Sequence, residues 1–189
     1  MNVKWNADRG RYLSLFATGV GCGAVVAGGE GLIELFLPFA GMGDSEMTAF
    51  VASLYPMAKL ENGVTGEAAL LLRRYFAGER VSFALPVDKS GFTTFQSAVY
   101  RAVALIPYGR VKSYAEIAYE VGRPHSARGV GGAMARNPLP IIIPCHRVVG
   151  RGGALTGYSG PGGVMSKKWL LNLEGVELVA QNGKIRESS

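Results

Sequence analysis

The chain has 189 residues, room for one large domain or two small ones. Its 48% hydrophobic and 18% charged content excludes a disordered, collagen-like or coiled-coil protein. The net charge of +6 is uneven: residues 1–90 carry eight Lys/Arg against nine Asp/Glu, and residues 91–189 carry twelve against five. A positive excess confined to one half is the footprint of a polyanion-binding surface, with a merely soluble basic surface as the alternative.

The first half opens with strand signals. Residues 11–18 alternate in apolar character, and residues 23–27 and 32–36 read as strands joined at Gly28-Gly29. The uncharged stretch 13–29 is short for a membrane span, broken by glycines and followed by Glu30 and Glu34, so it reads as strand material. It also lacks the basic start and cleavage site of a signal peptide. Within it, Gly19-x-Gly21-x-x-Ala24 imitates a dinucleotide-binding fingerprint. That motif needs a helix after it, whereas Val25, Val26 and the glycines that follow look like strand and turn. Residues 65–76 have a helical apolar pattern stopped by Gly78, and residues 85–91, with Pro86, Asp88 and Gly91, read as a linker. The expected division is an α/β domain over 1–88 and a mainly helical domain over 89–189.

In the second half, residues 93–106 place Phe95, Val99, Ala102, Val103 and Ile106 on one helical face, ended by Pro107-Tyr108-Gly109. Ser113 and Glu116 have the spacing of a capping box ahead of Ile117, Ala118 and Val121. Gly122-Arg123-Pro124 stops that helix. A second one, over 127–136, carries Arg128 and Arg136 and ends at Asn137-Pro138, which makes a helix-turn-helix candidate. Gly131-Gly132 at its centre costs helix stability. Such a cost is tolerated where another backbone comes close, either nucleic-acid phosphates or a packed neighbouring element.

Residues 141–143, all isoleucine, read as a short buried strand running into Pro144-Cys145-His146-Arg147-Val148. A cysteine becomes nucleophilic when histidine, positive charge or a helix N-terminus stabilises its thiolate. Cys22, among small residues in a strand, reads as packing. With two cysteines there is no disulfide framework and no four-cysteine metal site, and a reducing compartment suits them. Of the two histidines, His125 falls in the turn between the helices and reads as a solvated loop residue, leaving His146 as the candidate base. Its orienting carboxylate must come from Glu116, Glu120, Glu174, Glu177 or Glu187 if this half supplies it. Glu174 follows the apolar run Trp169-Leu170-Leu171-Asn172-Leu173, which would anchor it on a packed helix. A transcription regulator would use the helix pair and leave Cys145 inert. A cysteine hydrolase normally draws its Cys and His from remote positions, so the adjacent pair argues against one.

Arg128-Gly129-Val130-Gly131-Gly132-Ala133-Met134, Asn137-Pro138, Ile143-Pro144-Cys145-His146-Arg147-Val148-Val149 and Gly157-Tyr158-Ser159-Gly160 together resemble the O6-alkylguanine-DNA alkyltransferases. The likeness is dense over 92–175. It implies a ribonuclease-H-like first half and a winged-helix-like second half. It further implies irreversible transfer of an alkyl group from O6-alkylguanine in double-stranded DNA to the protein, once per molecule, with activity on O4-alkylthymine left open.

Carried over by position, the resemblance makes Cys145 the acceptor, and His146 the base that deprotonates it through a water. Glu174 orients that histidine, Tyr114 donates a proton to the leaving base, and Asn137 braces the turn before Cys145. Arg128 takes the place of the flipped nucleotide. Gly131, Ala135 and Tyr114 face the minor groove of the DNA, and Val148, Tyr158 and Ser159 form the base pocket, with Lys167 following that loop. A DNA-binding relative without activity would lack the acceptor, which here is in place. No cofactor is implied. Some relatives hold zinc in the first half, but this one has a single cysteine and no histidine there, so no metal is expected. The expected protein is a monomer with no membrane or obligate protein partner, cooperative binding along DNA being left open, and is cytoplasmic, or nuclear in a eukaryote.

Overall fold

The computed structural model describes residues 10–39, 42–61 and 63–176, and chain contacts divide it into two units, Met1–Gly91 and Phe92–Ser189. Unit one holds strands β1 (Tyr12–Thr18), β2 (Gly21–Gly28) and β3 (Gly31–Phe39), helix α1 (Asp44–Leu54), the short strand β4 (Lys59–Leu60) and helix α2 (Gly63–Phe76). The sheet order is β3-β2-β1-β4, antiparallel except where β4 runs parallel to β1.

Alternation of side chains along the strands sends the sheet's two faces to two helices. Leu13, Ala24 and Val26 pack with Met47 and Val51 of α1. On the other face Ser14 Oγ donates to Thr65 Oγ1 of α2 at 2.9 Å, and Phe16 stacks on Phe76 with ring centroids 6.1 Å apart. Gly23 is dictated by this packing, because a Cβ there would stand 2.2 Å from the Phe16 ring. The stretch 13–29 is therefore β1 and β2, and no helix among the described residues is long and apolar enough to cross a membrane.

Three details of this unit differ from the sequence reading. The turn between β2 and β3 falls on residues 29 and 30, and Gly28 stays in β2 opposite Gly31. Helix α1 was not anticipated, since only Met47 and Val51 of its residues are buried, too few to print a period. Part of the expected linker is tied down: Leu32 N–H donates to Pro86 O at 2.8 Å and Asp88 N–H to Leu32 O at 2.9 Å. The first unit accordingly runs on to Gly91.

Unit two is mainly helical: α3 (Thr94–Ala104), β5 (Lys112–Ser113), α4 (Tyr114–Glu120), α5 (Ala127–Ala135), β6 (Val148–Val149) and α6 (Val164–Leu173). The α/β first unit and the helical second unit with its α4–α5 pair match the fold class expected from sequence. Capping boxes open α3, through Thr93 and Gln96, and α4, through Ser113 and Glu116. Helix α3 buries Val99, Tyr100 and Val103, and the Tyr100 hydroxyl donates to Ala133 O at 3.0 Å, fixing α3 against α5. Strands β5 and β6 pair in parallel, Lys112 opposite Val148, which brings the segment after Cys145 beside the start of α4.

Residues 141–143 are buried as expected but do not form a strand. They make a tight turn in which Ile143 N–H donates to Leu139 O at 2.8 Å and Ile141 has a φ of +73°. The cause is Asn137, whose Oδ1 accepts from Leu139 N–H (3.1 Å) while Nδ2 donates to Ile143 O (2.8 Å). The side chain bonds the backbone groups that a partner strand would otherwise have used. Left-handed backbone at a β-branched residue costs about 1–3 kcal/mol, so the surrounding bonds hold this turn against its local preference.

Candidate active site

The strained turn delivers Cys145 into a three-residue 3-10 turn, Cys145–Arg147, at the base of a cleft of about 1350 Å³. Helices α4 and α5 supply one wall, with Tyr114, Arg128, Gly131 and Ala135. The loop after β6 supplies the other, with Tyr158 and Ser159. Cys145 is 5% exposed. Burial pushes its thiol upward in pKa, opposed by the Asn137 amide, the Lys167 ammonium and the Tyr158 hydroxyl. At rest the sulfur is a protonated thiol that must lose its proton to react.

A base stands next to it in the chain. His146 and Glu174 have fully buried side chains, and His146 Nε2 lies 2.7 Å from Glu174 Oε1. Glu174 terminates α6, and its carboxylate also accepts from Arg147 Nε at 2.9 Å, Arg147 Nη2 at 2.9 Å and Gly109 N–H at 3.1 Å. Burial alone would raise its pKa, but the hydrogen bonds of His146 and Arg147 and the Arg147 charge prevail and hold it near 2. An ionised carboxylate only accepts, so Nε2 must carry the imidazole proton and Nδ1 is the nitrogen with a lone pair. Burial lowers the pKa of His146, against the pull of Glu174, so the ring is a neutral base.

Lys167, fully buried on α6, donates to Val148 O at 2.6 Å and Thr156 O at 3.3 Å and lies 5.7 Å from the centre of the Tyr114 ring. Burial brings its pKa down to about 8. The Tyr114 hydroxyl donates to Thr156 O at 3.2 Å, which joins the start of α4 to the loop carrying Tyr158. Burial and the nearby sulfur raise the Tyr114 pKa, so the phenol keeps its proton.

The structure thus gathers Cys145, Tyr114, Arg128, Gly131, Ala135, Tyr158 and Ser159 around one cleft, with His146, Glu174, Asn137 and Lys167 behind it. Val148 is not on the cleft: its side chain is buried, its carbonyl is held by Lys167, and Val149 is the β6 residue that lines the wall. Arg128 is exposed at the start of α5. A Cβ at Gly131 would meet nothing closer than Tyr114 Cε1 at 4.0 Å, so packing within the protein does not require glycine there.

Of the other candidate carboxylates, Glu116 caps α4 and Glu120 pairs with Lys112 at 2.6 Å, while Glu177 and Glu187 lie outside the described residues. His125 is exposed between α4 and α5. Cys22 is buried in unit one, where desolvation and the Asp44 carboxylate push its thiol up to about 12, leaving it inert. Among the described residues no three His, Cys, Asp or Glu side chains are grouped to hold a metal ion. Sequence reasoning assigned no role to Arg147. The signal for it was a charged residue inside the apolar run 139–149.

Comparison with known proteins agrees on one family. The family model for the DNA-binding domain of 6-O-methylguanine DNA methyltransferase matches residues 94–176. The methylated-DNA–protein-cysteine methyltransferase of Mycobacterium leprae is 52% identical over 114 residues, 60% of this chain and 67% of that one. Matched segments span about two thirds of the length of such curated relatives, or slightly less. Structural likeness extends further. The O6-methylguanine methyltransferase of Mycobacterium tuberculosis superposes with a TM-score of 0.68 at 36% identity, over 87% of this chain and 92% of that one. The same protein in complex with DNA gives 0.67 at 35% identity, over 86% and 92%.

Proposed function

Because the chain belongs to the O6-alkylguanine-DNA alkyltransferases, the methylated-DNA–protein-cysteine methyltransferases, we propose that it repairs DNA by moving the alkyl group of O6-alkylguanine onto Cys145. The observation that carries this is a cysteine at the base of an open cleft, followed in the chain by a buried imidazole whose Nε2 is committed to an ionised carboxylate. His146 Nδ1 takes the Cys145 proton through a water. The thiolate then attacks the alkyl carbon in line, a C–S bond forms and the C–O6 bond breaks. The electron pair of that bond stays with the guanine, which takes a proton from the Tyr114 hydroxyl. The product is a thioether, and the relay just described has no step that cleaves it. Each molecule acts once, and the chemistry calls for no cofactor.

The target atom sits inside a stacked duplex, so the nucleotide must rotate into the cleft. Arg128, exposed at the mouth, fills the space it leaves, as wedge side chains do in the minor groove. The open space at Gly131 and the small side chain of Ala135 let the DNA backbone come close to α5. Tyr158 and Ser159 close on the base from the opposite loop, and Asn137 keeps the turn that presents the sulfur. The protein is a monomer in solution and acts on DNA inside the cell.

A Cys145→Ser variant tests the assignment. It should bind an O6-methylguanine duplex with nearly unchanged affinity and restore no guanine. Restoration by the serine variant would exclude Cys145 as acceptor, and discrimination among undamaged sequences by the wild-type protein would favour a transcription regulator.

A further inference from the structure

Arg147 is outside the chemistry just described, yet it is the most elaborately bonded side chain behind the cleft. Its guanidinium is one-tenth exposed and does not line the cleft. It places Nε and Nη2 on the two oxygens of Glu174 at 2.9 Å each, sends Nη1 to Ile106 O at 2.7 Å, and stands 5.9 Å from the centre of the Tyr108 ring. Glu174 therefore receives a two-pronged grip from Arg147 on the carboxylate that also meets His146.

Resting on the alkyl-transfer reading above, we propose that Arg147 is a positioning residue that keeps Glu174 ionised and so fixes His146 as the neutral base with its proton on Nε2. Without the guanidinium, a buried Glu174 would lose that positive charge and keep the hydrogen bonds of His146 and the Gly109 N–H. An isolated buried carboxylate resolves its desolvation by drawing a proton into the pair, and the imidazole then becomes an imidazolium that cannot accept from Cys145. The charges facing His146 are the Glu174 carboxylate from the end of α6, the Arg147 guanidinium from its own turn and the Lys167 ammonium from within α6. Glu174 favours the imidazolium, and burial with the two cations disfavours it. Removing Arg147 deletes one of the two cations, so His146 protonates more readily. The fork geometry adds a separate contribution that a lysine cannot copy, because an ammonium is a point charge without parallel N–H groups.

The test is the pH dependence of the single-turnover transfer rate for the wild-type protein, Arg147→Lys and Arg147→Met. Arg147→Met should shift the base-controlled limb to higher pH by at least a unit, a loss of about tenfold at pH values lying on that limb. Arg147→Lys should keep the limb in place and lower only the plateau. A limb unchanged in Arg147→Met, with its rate following thermal stability alone, would reduce Arg147 to a structural staple and overturn the proposal. Nitrogen-15 spectra of the unmodified protein provide a readout independent of variant folding, with only two histidines to assign. They should show His146 protonated at Nε2, and a proton on Nδ1 would overturn the proposal. Failure of the wild-type protein to transfer any alkyl group would instead overturn the function on which the role depends.

Discussion

At the scale of single residues, the site is a set of charges whose states are fixed by burial and by one another. Glu174 is held near 2, below its ordinary 4.5, and His146 is lowered from 6.5. Both groups bind a proton more weakly in the folded protein than in the unfolded chain. Each therefore contributes stability above its unfolded value that is lost on acidification, from 6.5 downward for His146 and from 4.5 downward for Glu174. Denaturant midpoints measured across this range should fall steadily toward acid. Glu174→Gln should be destabilised by about 3–5 kcal/mol at neutral pH, since it leaves the Arg147 charge buried against an amide. The same variant should show a shallower decline below pH 4.5, and a slope equal to that of the wild-type protein would remove Glu174 as its source.

Elements position these residues, and α5 shows how function and stability separate. Gly131 lies mid-helix where alanine is more stable by up to about 1 kcal/mol, and the space around it is open on the protein side. Gly131→Ala should raise the melting temperature while weakening duplex binding. An unchanged affinity would mean that no DNA backbone approaches this point. The glycine pair, the Ser113 capping box and the Pro-Cys-His-Arg-Val run were all legible in the sequence because each is a local signal. The turn at 141–143 was not. Its isoleucines favour a strand, and only the paired bonds of Asn137, made across six residues, bend them into a turn. Nor was the Arg147 grip legible, since its partners Ile106 and Glu174 are distant in the chain and meet only on folding. Helix α1 escaped because its apolar contact is confined to one narrow stripe.

On the scale of the whole molecule, charge and chemistry fall in the same half. Residues 91–189 carry the positive excess, and every residue of the Cys145 cleft belongs to that half. The α/β character of unit one was legible from period-two alternation and one strong helix, whereas the parallel strand β4 is only two residues long, below the reach of any pattern. The measurement that tests the account most directly is intact and peptide mass spectrometry after mixing the protein with an excess of duplex containing O6-methylguanine. The account predicts one methyl group per molecule, located on the Cys145 peptide, with an equal amount of guanine restored and no further turnover. A protein that binds the lesion but gains no mass, or that restores more guanine than one equivalent, would contradict it.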